Sequence, residues 1–182
     1  MKKLAENFYD RDTTLIAKEL LGKYLVHVVD HVQYVGKIVE TEAYLGEHDL
    51  AAHSCRGRTK RTEVMFGKPG VAYVYLIYGM YNCMNVVTES VGHASAVLIR
   101  GIEPVKNIEK NTRGPGLLCK AMLIDRSLNG CDLQSSHFYI AEGETEKFSI
   151  VKSKRIGVSY AKHWAHRLLR FYIKNNLYIS KL

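Results

Sequence analysis

Val71-Ala-Tyr-Val-Tyr-Leu-Ile-Tyr-Gly-Met-Tyr81 sets four tyrosines, Tyr73, Tyr75, Tyr78 and Tyr81, within nine residues. The run from 71 to 77 is β-branched and aromatic, the composition of a strand, and Gly79 marks a bend after it. Residues 82–88, Asn-Cys-Met-Asn-Val-Val-Thr, resume the strand pattern. The two runs therefore predict a protruding β-hairpin. Strand residues alternate between faces, so Tyr73 and Tyr75 share one face, while Tyr78 sits where the strand bends. Tyrosine packs its ring and wets its hydroxyl, so a sheet surface alone explains any one of these residues. Four together suggest a surface that grips flat rings.

Outward from the hairpin the chain continues in strands. Residues 24–29, 34–44 and 96–101 have strand composition, with glycines and charged residues between them. Asp12-Thr13-Thr14 caps a helix whose apolar stripe is Leu15, Ile16, Leu20 and Leu21, and Gly22 ends it. Residues 117–124 read as a helix after the breaker Gly114-Pro115-Gly116, and residues 161–170 as another with Trp164 and Leu168 on one side. The early strands are joined by connections too short for parallel crossovers. The expectation is a single compact α+β domain over residues 1–182, with a mainly antiparallel, curved sheet and flanking helices.

At 182 residues the chain has enough length to bury roughly 70% of the surface of its unfolded form. The four cysteines, Cys55, Cys83, Cys119 and Cys131, form no C-x-x-C pair and read as reduced thiols. Residues after Met1-Lys2-Lys3 supply no apolar signal core, and no run approaches the roughly 18 apolar residues of a membrane span. A cytoplasmic, monomeric protein that enters no membrane is expected.

The formal net charge of +8 is unevenly placed. Residues 147–182 hold nine Lys or Arg and no Asp or Glu, whereas residues 1–146 hold 17 basic against 18 acidic residues. A second basic run, Arg56-Gly-Arg-Thr-Lys-Arg61, precedes the tyrosines. Basic stretches flanking an aromatic cluster suit a phosphate backbone whose bases are stacked, because charge supplies sequence-independent affinity and rings supply stacking.

Chemistry enters at Ile38-Val-Glu-Thr-Glu-Ala-Tyr44. In an extended strand Glu40, Glu42 and Tyr44 share one face, and Val39, Thr41, Ala43 and Leu45 take the core side. Two carboxylates beside a ring can do general acid or base work, worth about 10²–10⁴-fold in rate. An unselected E-x-E is equally a pair of solvated strand carboxylates or salt-bridge partners. Glu47-His48-Asp49 and His53 match no metal-ligand spacing, so no metal is expected.

Several of these segments, in order and at matching spacing, closely resemble the alkyladenine DNA glycosylase (3-methyladenine DNA glycosylase) family. They are residues 39–46, Val-Glu-Thr-Glu-Ala-Tyr-Leu-Gly; His53-Ser54; Met65-Phe66; Lys68-Pro69-Gly70; the stretch from Tyr73 to Tyr81; Cys83-Met-Asn85; and residues 97–104, Val-Leu-Ile-Arg-Gly-Ile-Glu-Pro. The similarity extends to Asp12-Thr-Thr, Leu20-Leu-Gly22, residues 114–121, Arg155-Ile-Gly-Val158 and Leu169-Arg-Phe-Tyr172, so it spans nearly the whole chain.

The resemblance implies a monofunctional DNA repair glycosylase that flips alkylated, deaminated or etheno purines out of damaged double-stranded DNA and hydrolyses the bond to deoxyribose, without a cofactor. Matching positions make Glu42 the general base that deprotonates a water, with Arg100 and the backbone carbonyl of Ile156 holding that water. By the same resemblance Tyr44 and His53 flank the flipped base on one side and Tyr75 on the other. Asn85 lines the pocket floor and disfavours guanine by a desolvated clash with its amino group. Tyr78 fills the gap left in the duplex.

Three positions depart from the family pattern. Thr59-Lys-Arg-Thr-Glu63, ending a shortened segment, stands where Pro and Asn are common; Leu168 stands where Pro is frequent; and Ser159-Tyr160 replaces Gly-His. These bear on lesion range and DNA affinity. His163 and His166 read as surface or phosphate contacts, and His27 and His31 have no evident role. Two other readings fit parts of the chain: a nucleic-acid-binding module without catalysis, and a hydrolase of another polymer using Glu40 and Glu42. The joint presence of Glu42, Tyr44, His53, Tyr75, Asn85 and Arg100 favours the repair enzyme.

Overall fold

The Asp12 carboxylate accepts the backbone N–H of Leu15 at 2.8 Å and caps the first helix, α1 (Thr13–Glu19), in the computed structural model, which describes residues 1–144 and 147–181. The left-handed Gly22, at φ 83°, turns the chain into β1 (Tyr24–Val29) and β2 (Val32–Tyr44). There follow β3 (Ala72–Ile77), β4 (Tyr81–Thr88), β5 (Ser95–Lys106), helix α2 (Pro115–Ala121), and three four-residue strands, β6 (Phe138–Ala141), β7 (Ile150–Ser153) and β8 (Arg170–Ile173). All of these strands join one curved antiparallel sheet in the order β3-β4-β5-β2-β1-β6, with β8 paired to both β2 and β7. The α+β expectation holds, as does the hairpin: β3 and β4 pair from Ala72 opposite Val86 to Ile77 opposite Tyr81.

β2 is the spine of the sheet. One edge pairs with β5, and the other is shared, residues 32–37 pairing with β1 and Glu40, Thr41 and Glu42 with Tyr172, Phe171 and Arg170 of β8. The E-x-E segment is thus hydrogen-bonded on both sides. Against β5 its register slips twice, from Ile38 opposite Ile102 to Glu40 opposite Gly101, then to Thr41 opposite Ile99. Val39 is the extra residue on β2 and Arg100 the extra residue on β5. Bulges of this kind bend strands and re-aim side chains, and this one directs Arg100 toward the two glutamates.

The core lies between the sheet and α1, where Ile16, Ala17 and Leu20 pack with Ile38, Val39 and Ala43. Thr41 Oγ1 donates to the Ala17 carbonyl at 2.7 Å and ties helix to sheet. Val39, Thr41 and Ala43 face the core as their alternation predicts. The opposite face is buried as well, because the chain's last residues cross it. The ideal Cβ of Gly101 would lie 2.6 Å from the Tyr178 carbonyl and 3.3 Å from Glu40 Cβ, so only glycine admits that crossing.

Two sequence expectations need correction. The second helix starts at Pro115 and ends at Ala121, earlier than 117–124; proline at its first turn is the usual place for a residue without an N–H. Residues 161–170 form no α-helix. Lys162–His166 make one 3₁₀ turn, Arg167 is already extended at φ −68° and ψ 137°, and β8 begins at Arg170. Pairing with β2 and β7, which begins at Leu169 and Arg170, fixes where the turn must give way to a strand.

Candidate active site

β2 delivers Glu40, Glu42 and Tyr44 to one place, and both carboxylates are fully buried. They are not the solvated pair that an isolated E-x-E suggests. Glu40 is spent on structure: Oε1 lies 2.8 Å from Arg170 Nη1 and 2.9 Å from Ser180 Oγ, and Oε2 accepts the Ser180 backbone N–H at 2.6 Å.

Glu42 is held differently. Oε1 accepts the backbone N–H of Ile156 at 2.7 Å, Oε2 accepts the Tyr44 hydroxyl at 2.8 Å, and Arg100 Nη1 stands 3.4 Å from Oε2. Burial pushes the Glu42 carboxyl above its ordinary value, against the opposing pull of the Arg100 charge and of these two hydrogen bonds. A carboxylate with a raised pKa and three fixed neighbours has the electrostatics of a general base tuned toward neutral pH.

A cavity of about 250 Å³ opens above these groups. Tyr44, His53, Tyr75, Tyr78, Asn85, Arg100 and Ile156 all line it, so the structure gathers every sequence-predicted site residue except Glu42 along its wall. Glu42 meets the cavity through its partners Tyr44, Arg100 and Ile156. The space is below the roughly 300–1,000 Å³ of pockets for drug-sized ligands and suits one flat ring system.

The aromatic walls follow from local structure. Tyr73 and Tyr75 rise from the same face of β3 with ring centroids 5.4 Å apart. Asn85, opposite Tyr73 on β4, donates its Nδ2–H to the Tyr73 carbonyl at 3.0 Å, which fixes its amide at the cavity edge. His53 opens a 3₁₀ turn (His53–Arg56); its Nδ1 is 3.0 Å from the Tyr73 hydroxyl, and its ring meets Tyr75 edge-on at 4.5 Å and 74°. No third ring fits between His53 and Tyr75 in that contact. In this structure His53 and Tyr75 therefore meet along one wall, and Tyr44 lines the same cavity, near enough to Tyr75 for the two hydroxyls to act on one another. Desolvation, aided by the charges of Arg61 and Arg56, lowers the His53 pKa to about 4, so the ring is neutral at physiological pH.

Two residues given no role by their local sequence hold this frame. Asp49, fully buried, accepts the backbone N–H groups of Leu45 and Ala51 at 3.1 and 3.0 Å and so shapes the loop that leads from Tyr44 to His53. Its Oδ1 also accepts Arg155 Nη2 at 2.9 Å, and the Arg155 guanidinium lies 4.7 Å from the Tyr44 ring centroid. The local sequence does not single out this pairing, because Asp49 follows Glu47-His48 and Arg155 follows Lys154, and 106 residues separate the partners.

The hairpin tip stands out from the sheet. Tyr78 is 85% exposed with φ 52°, and Met80 beside it is 68% exposed. Of the departures from the family pattern, Tyr160 lines the cavity, Thr62 is buried with its hydroxyl on the Gly57 carbonyl at 3.0 Å, and Leu168 is half exposed and does not line the cavity. Among the described residues no three His, Cys, Asp or Glu side chains are grouped to hold a metal ion, and no helix is long and apolar enough to cross a membrane.

Comparison with known proteins adds to this geometry. Residues 7–177 match the family model described as methylpurine-DNA glycosylase. The chain is 65% identical over its full length, and that of its relative, to a protein of Legionella pneumophila (strain Paris) provisionally named 3-methyladenine DNA glycosylase. Proteins of the same provisional name from Myxococcus xanthus (strain DK1622) and Desulfitobacterium hafniense (strain Y51) are 48% and 46% identical. The match covers 100% of this chain and 95% of the first, and 99% of this chain and of the second.

Proposed function

The chain belongs to the methylpurine-DNA glycosylase family and is a DNA glycosylase, and from that premise we propose that it removes alkylated, deaminated or etheno purines from duplex DNA by flipping them into the aromatic cavity. The observation that carries this reading is a fully buried Glu42 with a raised pKa, hydrogen-bonded to two groups that line the cavity, Tyr44 and Ile156.

In this reading the base enters between Tyr44 on one side and the His53–Tyr75 wall on the other. Stacking tolerates many ring systems and is worth roughly 1–3 kcal/mol per base, which suits acceptance of several lesions. Asn85, its amide fixed by the Tyr73 carbonyl, discriminates against guanine, whose amino group meets a polar group it cannot satisfy. Water, seated by Arg100 and the Ile156 backbone, attacks C1′ as the C1′–N9 bond breaks. A C1′–O bond forms, the departing base takes the bonding electrons, and Glu42 takes the water's proton. No lysine is needed as nucleophile. Tyr78 on the exposed tip enters the minor groove and occupies the vacated place in the stack, which offsets part of the few kcal/mol that flipping costs. Basic residues at 56–60 and the exposed ones in the last 36 residues bind the phosphates of the flanking duplex.

The test is single-turnover cleavage of duplex oligonucleotides carrying hypoxanthine or ethenoadenine, developed with alkali, for wild type and Glu42→Gln. Base release by wild type, with a loss of at least about 10²-fold in the variant and DNA binding retained, supports the reading. Salt-sensitive binding without release of any lesion base would reduce the chain to a DNA-binding protein.

A further inference from the structure

Arg61 lies on the far side of the cavity wall. Its guanidinium sits 5.3 Å from the Tyr75 ring centroid. Tyr75 lines both the central cavity and a separate outer groove, whereas Arg61 lines only the outer groove, with Lys60, Val74 and Leu76. The cation is therefore behind the ring that the base would face. Its charge also acts on the Tyr73 hydroxyl, the group that meets His53 Nδ1.

The second cation behind a wall differs in one respect. Arg155 backs Tyr44 at 4.7 Å, but its charge is met by the buried Asp49 carboxylate. Among the described residues no carboxylate lies within salt-bridge distance of Arg61; the neighbouring Glu63 is taken by Arg58 at 2.8 Å. Of the two guanidiniums that lie over a stacking ring, Arg61 is thus the one without a carboxylate partner among the described residues.

The face of an aromatic ring is negative and attracts cations. A guanidinium on one face competes for that density and repels a second cation on the opposite face, while a neutral ring stacked there feels little of either effect. Purines alkylated on a ring nitrogen such as N7 carry a formal positive charge in DNA; hypoxanthine and etheno adducts do not. We propose that Arg61 is a specificity-determining residue that biases the cavity against cationic, N-alkylated purines and toward neutral lesion bases. This rests on the glycosylase reading of the same site. The neutral His53 beside Tyr75 adds no charge to that wall; Arg56, which also acts on His53, and Arg126, in the same outer groove, stay unchanged when Arg61 alone is replaced.

The experiment compares wild type with Arg61→Met, which keeps a long apolar side chain over the ring and removes the charge. Single-turnover kcat/KM is measured at mildly acidic pH, where N7-methylated hypoxanthine keeps its acidified N1 proton and so its positive charge, on matched duplexes containing hypoxanthine or that cationic form, two bases that differ only at N7. Taking the variant-to-wild-type ratio for each substrate cancels the greater intrinsic lability of the cationic nucleotide. The expected result is a two- to fivefold shift of the ratio in favour of the cationic base, about the size of one exposed cation–π contact. An equal change on both substrates would overturn the proposal and make Arg61 a phosphate contact. Release of neither base by wild type would instead overturn the glycosylase reading, and this inference with it.

Discussion

The Tyr44 hydroxyl donates to Glu42 Oε2 at 2.8 Å, across two residues of one strand, so the ring proposed to stack the base also holds the proposed catalytic carboxylate. That bond favours the ionised glutamate and opposes the rise in pKa that burial imposes. Tyr44→Phe keeps the ring and removes the bond. The base works only when ionised, so the rate falls as pH drops through its pKa, above the ordinary 4.5 of a glutamate. In the variant that acid limb should move about one further pH unit upward, the value of a hydrogen bond to a charged group. A pH profile of single-turnover base release checks this. An unmoved limb would mean that the tyrosine acts through its ring alone.

Glu40 and Glu42 are both fully buried, yet they should respond oppositely to removal of their charge. Burial raises the Glu42 pKa in the folded state above its unfolded value. Such a group stabilises the fold when protonated, below the unfolded pKa, and that contribution is lost as pH rises through the folded pKa. At pH 7 Glu42→Gln should therefore leave stability unchanged or raise it by up to about 1 kcal/mol, as is common where a site is built for function. Glu40→Gln takes the charge from a carboxylate bonded to Arg170 and Ser180 and near the Arg100 guanidinium. It should cost about 3 kcal/mol, because it leaves buried cations under-compensated. Urea titration at pH 7 of both variants decides the matter; equal losses would mean that Glu42 is as structural as its neighbour.

What was legible in the sequence was local. Asp12 as a cap, the hairpin and the shared face of Tyr73 and Tyr75 each follow from periods of two or 3.6 residues and from turn chemistry, signals that span fewer than a dozen positions. The sequence left open whether Glu40 and Glu42 are solvated or ion-paired, and the burial of that face was hidden because its cover comes from far along the chain: Arg170 and Ser180 reach Glu40 from 130 and 140 residues away. The bulge that aims Arg100 was equally hidden, since composition does not encode register. Over residues 161–170 the sequence pairs Trp164 with Leu168 on one helical side, but of the two only Trp164 is buried and Leu168 faces solvent, because the chain turns extended at Arg167 to join the sheet at Leu169 and Arg170. The site residues themselves came from resemblance, since the loop that carries His53 and the strands that carry Tyr44, Tyr75 and Asn85 meet only in the folded chain.

Tyr78 offers the clearest separation of function from folding. Tyr78 is 85% exposed and its backbone sits in the left-handed region at φ 52°, a conformation costly for a bulky aromatic residue. Such strain persists where the surroundings enforce it, and here the tip Tyr78-Gly79-Met80-Tyr81 joins paired strands on both sides. Tyr78→Ala should leave stability within about 0.5 kcal/mol, as for other exposed positions away from caps and cores. Its effect on duplex substrates should be larger: loss of one stacking platform, roughly 1–3 kcal/mol, corresponds to about five- to 150-fold in kcat/KM. The loss should also depend on the lesion's pairing. A base that pairs well needs the wedge most, and one in a mismatch is already partly unstacked. Measuring the variant on the same lesion opposite a pairing and a non-pairing base tests this directly. A greater loss on the paired lesion would support Tyr78 as the residue that replaces the flipped nucleotide, whereas an equal loss on both would assign it to general DNA binding.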